Sequence, residues 1–152
     1  MINIKLDDSH ISINDNSKSK KSILEKLSEI LSKSSGIDTD TIFTKLYDRE
    51  KLGSTSVGNG VAIPHARIEG IDYPFISIVT LENAVDFDNI DDFDVDIILC
   101  IIVPNDDSDN HLQLLASLSE MLDQVDIRQK LRQSRNSEQI LQCLKSNSLK
   151  FI

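Results

Sequence analysis

Val95-Asp96-Ile97-Ile98-Leu99-Cys100-Ile101-Ile102-Val103 is the stretch on which the fold turns. Its β-branched residues make it a strand, and its apolar side chains fall at odd and even positions alike, as in a strand buried on both faces. The preceding apolar run, Phe75 to Leu81, has the same character and reads as a second strand. The segment between them carries Asp86, Asp88, Asp91, Asp92 and Asp94 and reads as a solvated acidic loop.

A strand buried on both faces needs cover above and below, and the flanking sequence supplies helices. Upstream, Ile23, Leu24, Leu27, Ile30 and Leu31 recur at helical spacing until Ser34-Ser35-Gly36 stops them. Asp38 or Thr39 can cap a second helix with Ile42, Phe43 and Leu46 on one side, closed by Gly53, which puts Arg49 and Glu50 in its final turn. Before these, His10 to Ile13 alternates polar and apolar residues as a short edge strand would. Downstream of Pro104, residues 105–110 offer capping side chains, with Asp106, Asp107 and Asp109 as helix-start charges. Leu112, Leu115, Leu118 and Leu122 then mark a helix that His111 opens. Asp126 and Ser137 can cap two shorter helices, one with Ile127 and Leu131, the other with Ile140, Leu141 and Leu144.

Strands scattered among helices predict an α/β fold, a sheet covered by helices on both faces. The chain has 152 residues, 39% of them hydrophobic, with no repeat or linker, so a single domain over residues 1–152 is expected.

Composition narrows the function. Asp and Glu outnumber Lys and Arg 25 to 16, for a net charge of -9, which excludes a nucleic-acid binder that must neutralise phosphates with clustered cations. Such a chain would draw partners with basic docking faces. The run from Val95 is far short of the roughly 20 apolar residues of a membrane helix, and the charged N-terminal residues do not form a signal peptide. Cys100 and Cys143 lack metal-type spacing and suit a reducing compartment. A cytoplasmic protein without membrane insertion is expected. The aspartate-rich loop lacks the central glycine and terminal glutamate of a helix-loop-helix calcium site, so no metal is expected.

The chemistry concentrates between Arg49 and His65. Arg49-Glu50-Lys51-Leu52-Gly53-Ser54-Thr55-Ser56-Val57-Gly58-Asn59-Gly60-Val61-Ala62-Ile63-Pro64-His65 sets a cation, hydroxyl residues and glycines ahead of a histidine. Phosphoryl transfer needs an in-line nucleophile and positive or N–H groups around the equatorial oxygens. A neutral imidazole is nucleophilic near pH 7 and forms a phosphoramidate labile enough to pass the group on. Pro64, with a short strand before it, would present His65 from a stiff backbone. Arg49 offers a planar guanidinium to phosphate oxygens, and His111 could donate a hydrogen bond to the group from the first turn of its helix. Ser54 and Thr55 are candidate donors behind these. Taken singly, each residue has an ordinary alternative: a loop histidine, an arginine compensating a helix C-terminus, a histidine capping its own helix, glycines as turn punctuation. No Gly-Lys-Ser/Thr follows, so a nucleotide P-loop is not supported.

Together, Arg49-Glu50-Lys51-Leu52-Gly53-Ser54-Thr55 and Gly58-Asn59-Gly60-Val61-Ala62-Ile63-Pro64-His65 resemble the active-site region of the mannitol/fructose-type enzyme IIA family of the bacterial phosphotransferase system (PTS), and most closely its nitrogen-regulatory branch. The resemblance extends to Ser19-Lys20-Lys21, Val103-Pro104 and His111-Leu112, opening a helix that ends near Arg132. It departs at Ala66-Arg67, where that branch usually has Gly-Lys and where alanine is closer to the fructose branch.

The resemblance implies a mixed sheet sandwiched between helices. It also implies a phosphohistidine carrier, a transferase component without cofactor, in which His65 accepts phosphate from HPr or its nitrogen-branch paralogue NPr, with His111 and Arg49 near the phosphoryl group. Downstream, the nitrogen branch implies regulated targets such as a potassium transporter or a sensor kinase. The sugar branch implies a cysteine of an enzyme IIB, and a non-catalytic binding module is a further alternative. Val61, Ile63 and Leu52 are expected to rim His65. The sequence does not distinguish the two ring nitrogens.

Overall fold

The computed structural model describes residues 2–106, 109–145 and 149–152. In chain order it contains β1 (Ile2–Ile4), a 3-10 turn (Asp8–His10), β2 (Ile11–Asp15), α1 (Lys20–Ser35), α2 (Thr39–Lys51), β3 (Ser56–Gly58), β4 (Val61–Ala62), β5 (His65–Ile68), β6 (Phe75–Val85), β7 (Val95–Pro104), α3 (Asp109–Leu122), α4 (Val125–Gln133), α5 (Ser137–Leu144) and β8 (Leu149–Phe151).

β7 is the central strand the sequence requires. It runs antiparallel to β6 on one side and parallel to β4 and β5 on the other. β2 lies parallel to β6 at one edge and β3 antiparallel to β4 at the other, so the sheet is mixed. Ile97, Leu99 and Ile101 project into a core shared with Leu114, Leu118, Leu131 and Ile140 of α3 to α5. Ile98, Cys100 and Ile102 project into a second core with Ile23, Leu27, Leu31, Ile42 and Leu46 of α1 and α2. Both faces of the sheet are thus covered, each buried aliphatic side chain contributing about 1.5–3 kcal/mol.

β4 and β5 lie end to end along β7, opposite Ile97–Ile98 and Ile101–Pro104. The break is Pro64, which has no N–H to give the ladder, while its carbonyl still accepts the Ile101 amide at 2.9 Å. His65 is therefore the first residue of a fresh strand.

Local signals explain the helix ends. Ser19 caps α1 in a reciprocal box with Ser22, and Gly36 ends it at φ 77°. Asp38 is the cap of α2.

Several boundaries differ from the sequence expectation. His10 belongs to the 3-10 turn before β2, buried with Nδ1 on the Ile76 carbonyl at 2.8 Å and Nε2 on the Ser34 hydroxyl at 2.7 Å. α3 starts at Asp109, so His111 is its third residue. Asp107 and the side chain of Asp109, expected as helix-start charges, lie outside the described residues.

The region between His111 and Arg132 is two helices, α3 and α4. Buried Arg128 turns its guanidinium back onto the carbonyls of Leu122 (3.1 Å) and Asp123 (2.7 Å), satisfying the end of α3 and fixing the break. Gln124 occupies the N-cap of α4 without a side-chain bond, which leaves Asp126 in the first turn, and Asn136 rather than Ser137 caps α5. β1 and β8 pair as a separate two-stranded parallel sheet that the sequence does not announce.

Candidate active site

The alternation of β5 decides what its residues meet. Ala66 and Ile68 turn into the core beneath α1 and α2, so His65 and Arg67 turn to the opposite face, where α3 packs. There a cleft of about 610 Å³ opens at the C-terminal end of β7, walled by Ile101 and Val103 of β7 and by His111, Leu112 and Leu115 of α3. Thr41, Lys45 and Arg49 close it from α2, at a spacing of four that stacks them on one helix face.

His65, Arg49 and His111 are thus brought into one cleft from three separate elements. The Nδ1 of His65 is 2.9 Å from the Ile63 carbonyl. A carbonyl only accepts, so Nδ1 carries the proton and Nε2 keeps an unprotonated lone pair. His111 is half-buried, with Nδ1 3.5 Å from the Asp106 carboxylate; at that separation the contact is an ion-pair contact when the ring is charged, and the buried Nδ1 has no hydrogen-bond partner among the described residues. Arg49 donates from Nη1 to the Gly53 carbonyl at 2.8 Å, so it both finishes the end of α2 and lines the cleft.

Ser54 and Thr55 do not line the cleft. Ser54 donates its hydroxyl to the Phe87 carbonyl at 2.7 Å, and Thr55 gives its amide (3.2 Å) and hydroxyl to the Glu50 carboxylate. Glu50 is nearly fully buried and meets Lys20 Nζ at 2.8 Å, which also reaches Asp88 at 2.9 Å. Burial disfavours the Lys20 ammonium, but the hydrogen bonds and charges of Glu50 and Asp88 outweigh it and raise its pKa. The network pins the residue after Arg49 from behind.

Val61 and Ile63 are core residues packed with those of α3 to α5 and do not line the cleft. Leu52 is 85% exposed beyond it. The apolar lining of the cleft includes Ile101, Val103, Leu112 and Leu115 instead, with Leu112 exposed at its edge.

The net charge also misleads locally. Lys45, Arg49 and Arg67 line the cleft; among the described lining residues the carboxylate is Glu69, which accepts from Asn105 at 3.2 Å, and the Asp106 carboxylate stands beside His111. Asp86, Asp88, Asp91, Asp92 and Asp94 gather in the loop before β7, at the far end of the strand, and the three cations leave the cleft suited to an anion. Among the described residues no three His, Cys, Asp or Glu side chains are grouped to share a metal ion, and no helix is long and apolar enough to cross a membrane.

Residues 5–147 match the family model described as phosphoenolpyruvate-dependent sugar phosphotransferase system, EIIA 2. The chain belongs to that family. This EIIA 2 chain is 40% identical over 125 residues to the nitrogen regulatory protein of Pseudomonas aeruginosa, covering 82% of this chain and 81% of that one. The crystal structure of nitrogen regulatory protein IIA-Ntr from Neisseria meningitidis superposes with a TM-score of 0.86 at 33% identity, over 90% of this chain and 94% of that one. Enzyme IIA mannitol from Escherichia coli shares the fold, with a TM-score of 0.78 at 22% identity over 93% and 99% of the two chains. The α/β sandwich and the kinship with nitrogen regulatory proteins are as the sequence motif implied.

Within this EIIA 2 chain, the sequence reading missed Lys45 and Arg67 as cleft residues. Lys45 was legible as the residue one turn before Arg49, and Arg67 as the residue two beyond His65 once that segment is recognised as a strand.

Proposed function

We propose that this EIIA 2 chain is a phosphohistidine carrier in which Nε2 of His65 accepts a phosphoryl group from the phosphohistidine of an HPr-like protein, HPr or NPr. The observation that carries the reading is the bond from Nδ1 of His65 to the Ile63 carbonyl, within a cleft that also holds Arg49 and His111. The Nε2–P bond forms as the donor's N–P bond breaks. The electron pair returns to the donor ring, which takes up a proton from solvent, while the Nδ1 proton stays with Ile63. Arg49 balances charge on the equatorial oxygens, and His111 donates from the first turn of α3. Ser54 and Thr55 act at one remove, holding the Gly53 segment and Glu50 beside Arg49.

The likeness to nitrogen regulatory proteins supports a regulatory output in the cytoplasm. A phosphoryl group placed among Ile101, Val103, Leu112 and Leu115 adds negative charge to an apolar rim and alters which target can bury it. A potassium transporter or a sensor kinase is the class of target proposed. Ala66 favours a second reading, in which a fructose-type acceptor, the cysteine of an enzyme IIB, takes the group onward.

Intact-mass analysis after incubation with phosphoenolpyruvate, enzyme I and HPr or NPr tests the carrier step. One acid-labile phosphoryl mass, lost in His65→Ala, is expected; no gain with either carrier would leave the cleft as a binding surface alone. Addition of an enzyme IIB then separates the two outputs, since onward transfer to its cysteine belongs only to the second.

A further inference from the structure

Arg67, like Lys45, is a cleft cation to which the carrier mechanism assigns no task. It lies two residues beyond His65 on one face of β5, so their side chains leave the strand in the same direction about 6.6 Å apart, within reach of a guanidinium. From β5 Arg67 extends across to the segment that leads into α3, where Nη1 donates to the Asp106 carbonyl at 3.3 Å. The Asp106 carboxylate in turn lies 3.5 Å from Nδ1 of His111. Arg67 therefore connects the strand that carries His65 to Asp106 beside His111.

Charge strengthens the case. A phosphoryl group brings close to two negative charges into the cleft. Arg49 donates to the Gly53 carbonyl as Arg67 does to that of Asp106, and Lys45 stands one turn before Arg49 on α2. Arg67 is the cation that the backbone itself sets beside His65. Its five N–H donors lie in a fixed fork, so it can hold a carbonyl with one and phosphoryl oxygens with others, a geometry a lysine ammonium does not reproduce.

We propose that Arg67 is a second phosphoryl-binding guanidinium, bridging the oxygens on His65 to the carbonyl of Asp106, the residue whose carboxylate faces His111. The proposal rests on His65 being the phosphorylated residue. No bond beyond the transfer already described is made or broken.

The test is single-turnover phosphorylation by phospho-HPr or phospho-NPr of the wild type, Arg67→Lys and Arg67→Gln, with 31P spectra of the phosphorylated forms. Arg67→Gln is expected to slow the transfer step roughly 100-fold, with carrier half-saturation changed no more than a few-fold, and to move the phosphohistidine 31P resonance. Arg67→Lys is expected to recover only part of the rate. The His65 imidazole 15N shifts of the unphosphorylated variants should match the wild type, showing that the cleft is intact.

A wild-type rate and resonance in Arg67→Gln would overturn the proposal. So would an effect confined to half-saturation, which would assign Arg67 to carrier docking, or full recovery by lysine. A wild type that takes no phosphate, or takes it at a residue other than His65, would instead overturn the carrier reading itself, and this proposal with it.

Discussion

Nδ1 of His65 and the carbonyl oxygen of Ile63 are 2.9 Å apart, and Pro64 lies between the two residues. The bond fixes the tautomer before any partner arrives, because the chain break at Pro64 turns the Ile63 carbonyl away from the strand ladder and toward the ring. In long-range 1H–15N spectra, His65 Nδ1 is expected to show the shift of a protonated nitrogen and Nε2 that of an unprotonated one, with phosphorylation registering at Nε2. The reverse assignment would remove the basis for Nε2 as nucleophile.

Lys20 should control alkaline stability. Its pKa is raised above the ordinary 10.5 in the folded protein, so its stabilising contribution is complete below 10.5 and is lost as pH climbs through the higher folded value. Lys20→Met leaves the Glu50 carboxylate, 3% exposed, without its cation. It should cost roughly 3 kcal/mol at neutral pH and flatten the decline above pH 10.5, as read from urea unfolding across the pH range.

Asp15 makes the opposite contribution at the acid end. Burial raises its pKa, but the hydroxyl and amide of Ser17, the Ser12 hydroxyl and the Lys26 charge lower it further, to a value below the ordinary 3.8. That stability is present above pH 3.8 and disappears as pH falls through the depressed value. Asp15→Asn should therefore be less stable than the wild type near neutrality and converge with it in acid; two parallel pH profiles would show that Asp15 is not held in this way.

The two thiols should behave differently. Cys100 is fully buried in β7, and burial, followed by the charge of Glu50, pushes its thiol far above the ordinary range. Cys143 is partly exposed on α5, its Sγ donating to the Gln139 carbonyl at 3.1 Å. Alkylation followed by mass spectrometry should find one modified cysteine in the native protein and both in denaturant, with Cys143→Ser abolishing the native reaction.

Gly60 tests the turn that sets the register of β4. At φ 80°, a Cβ there would stand 2.5 Å from Arg132 Nη2 and 3.0 Å from Asp96 Oδ1. Arg132 cannot easily yield, because it grips both oxygens of Asp96 and donates to the Asn59 carbonyl at 2.7 Å. Gly60→Ala should lower unfolding free energy by roughly 2 kcal/mol, and thermal melts would reveal a tolerant turn if the loss were below a few tenths.

Much of the sandwich was legible because its longest elements obey one period each. Both faces of β7 are apolar, and the stripes of α1 and α2 match the face they bury, so neither needed outside information. The short pieces were less accessible. β5 begins with a histidine and holds an arginine at its third position, and those polar residues give no strand signal; only pairing with β7 makes them a strand. The break between α3 and α4 likewise depends on Arg128 finding carbonyls six and five residues behind it.

By itself the sequence determined which residues could carry phosphoryl chemistry, through residue type and the order of Arg49, the glycines and His65, and it determined a sheet core through the periodicity of Val95 to Val103. Tertiary structure alone decided which side chains share a cleft. Arg67 and Lys45 entered it and Val61 and Ile63 did not, because strand alternation and helix phase relative to β7 fix the direction of each side chain. Local sequence does not encode that relation between elements. For the same reason the basic cleft in an acidic chain was invisible to net charge: the sum records how many charges there are, and folding decides that the aspartates of residues 86–94 lie at the other end of the strand.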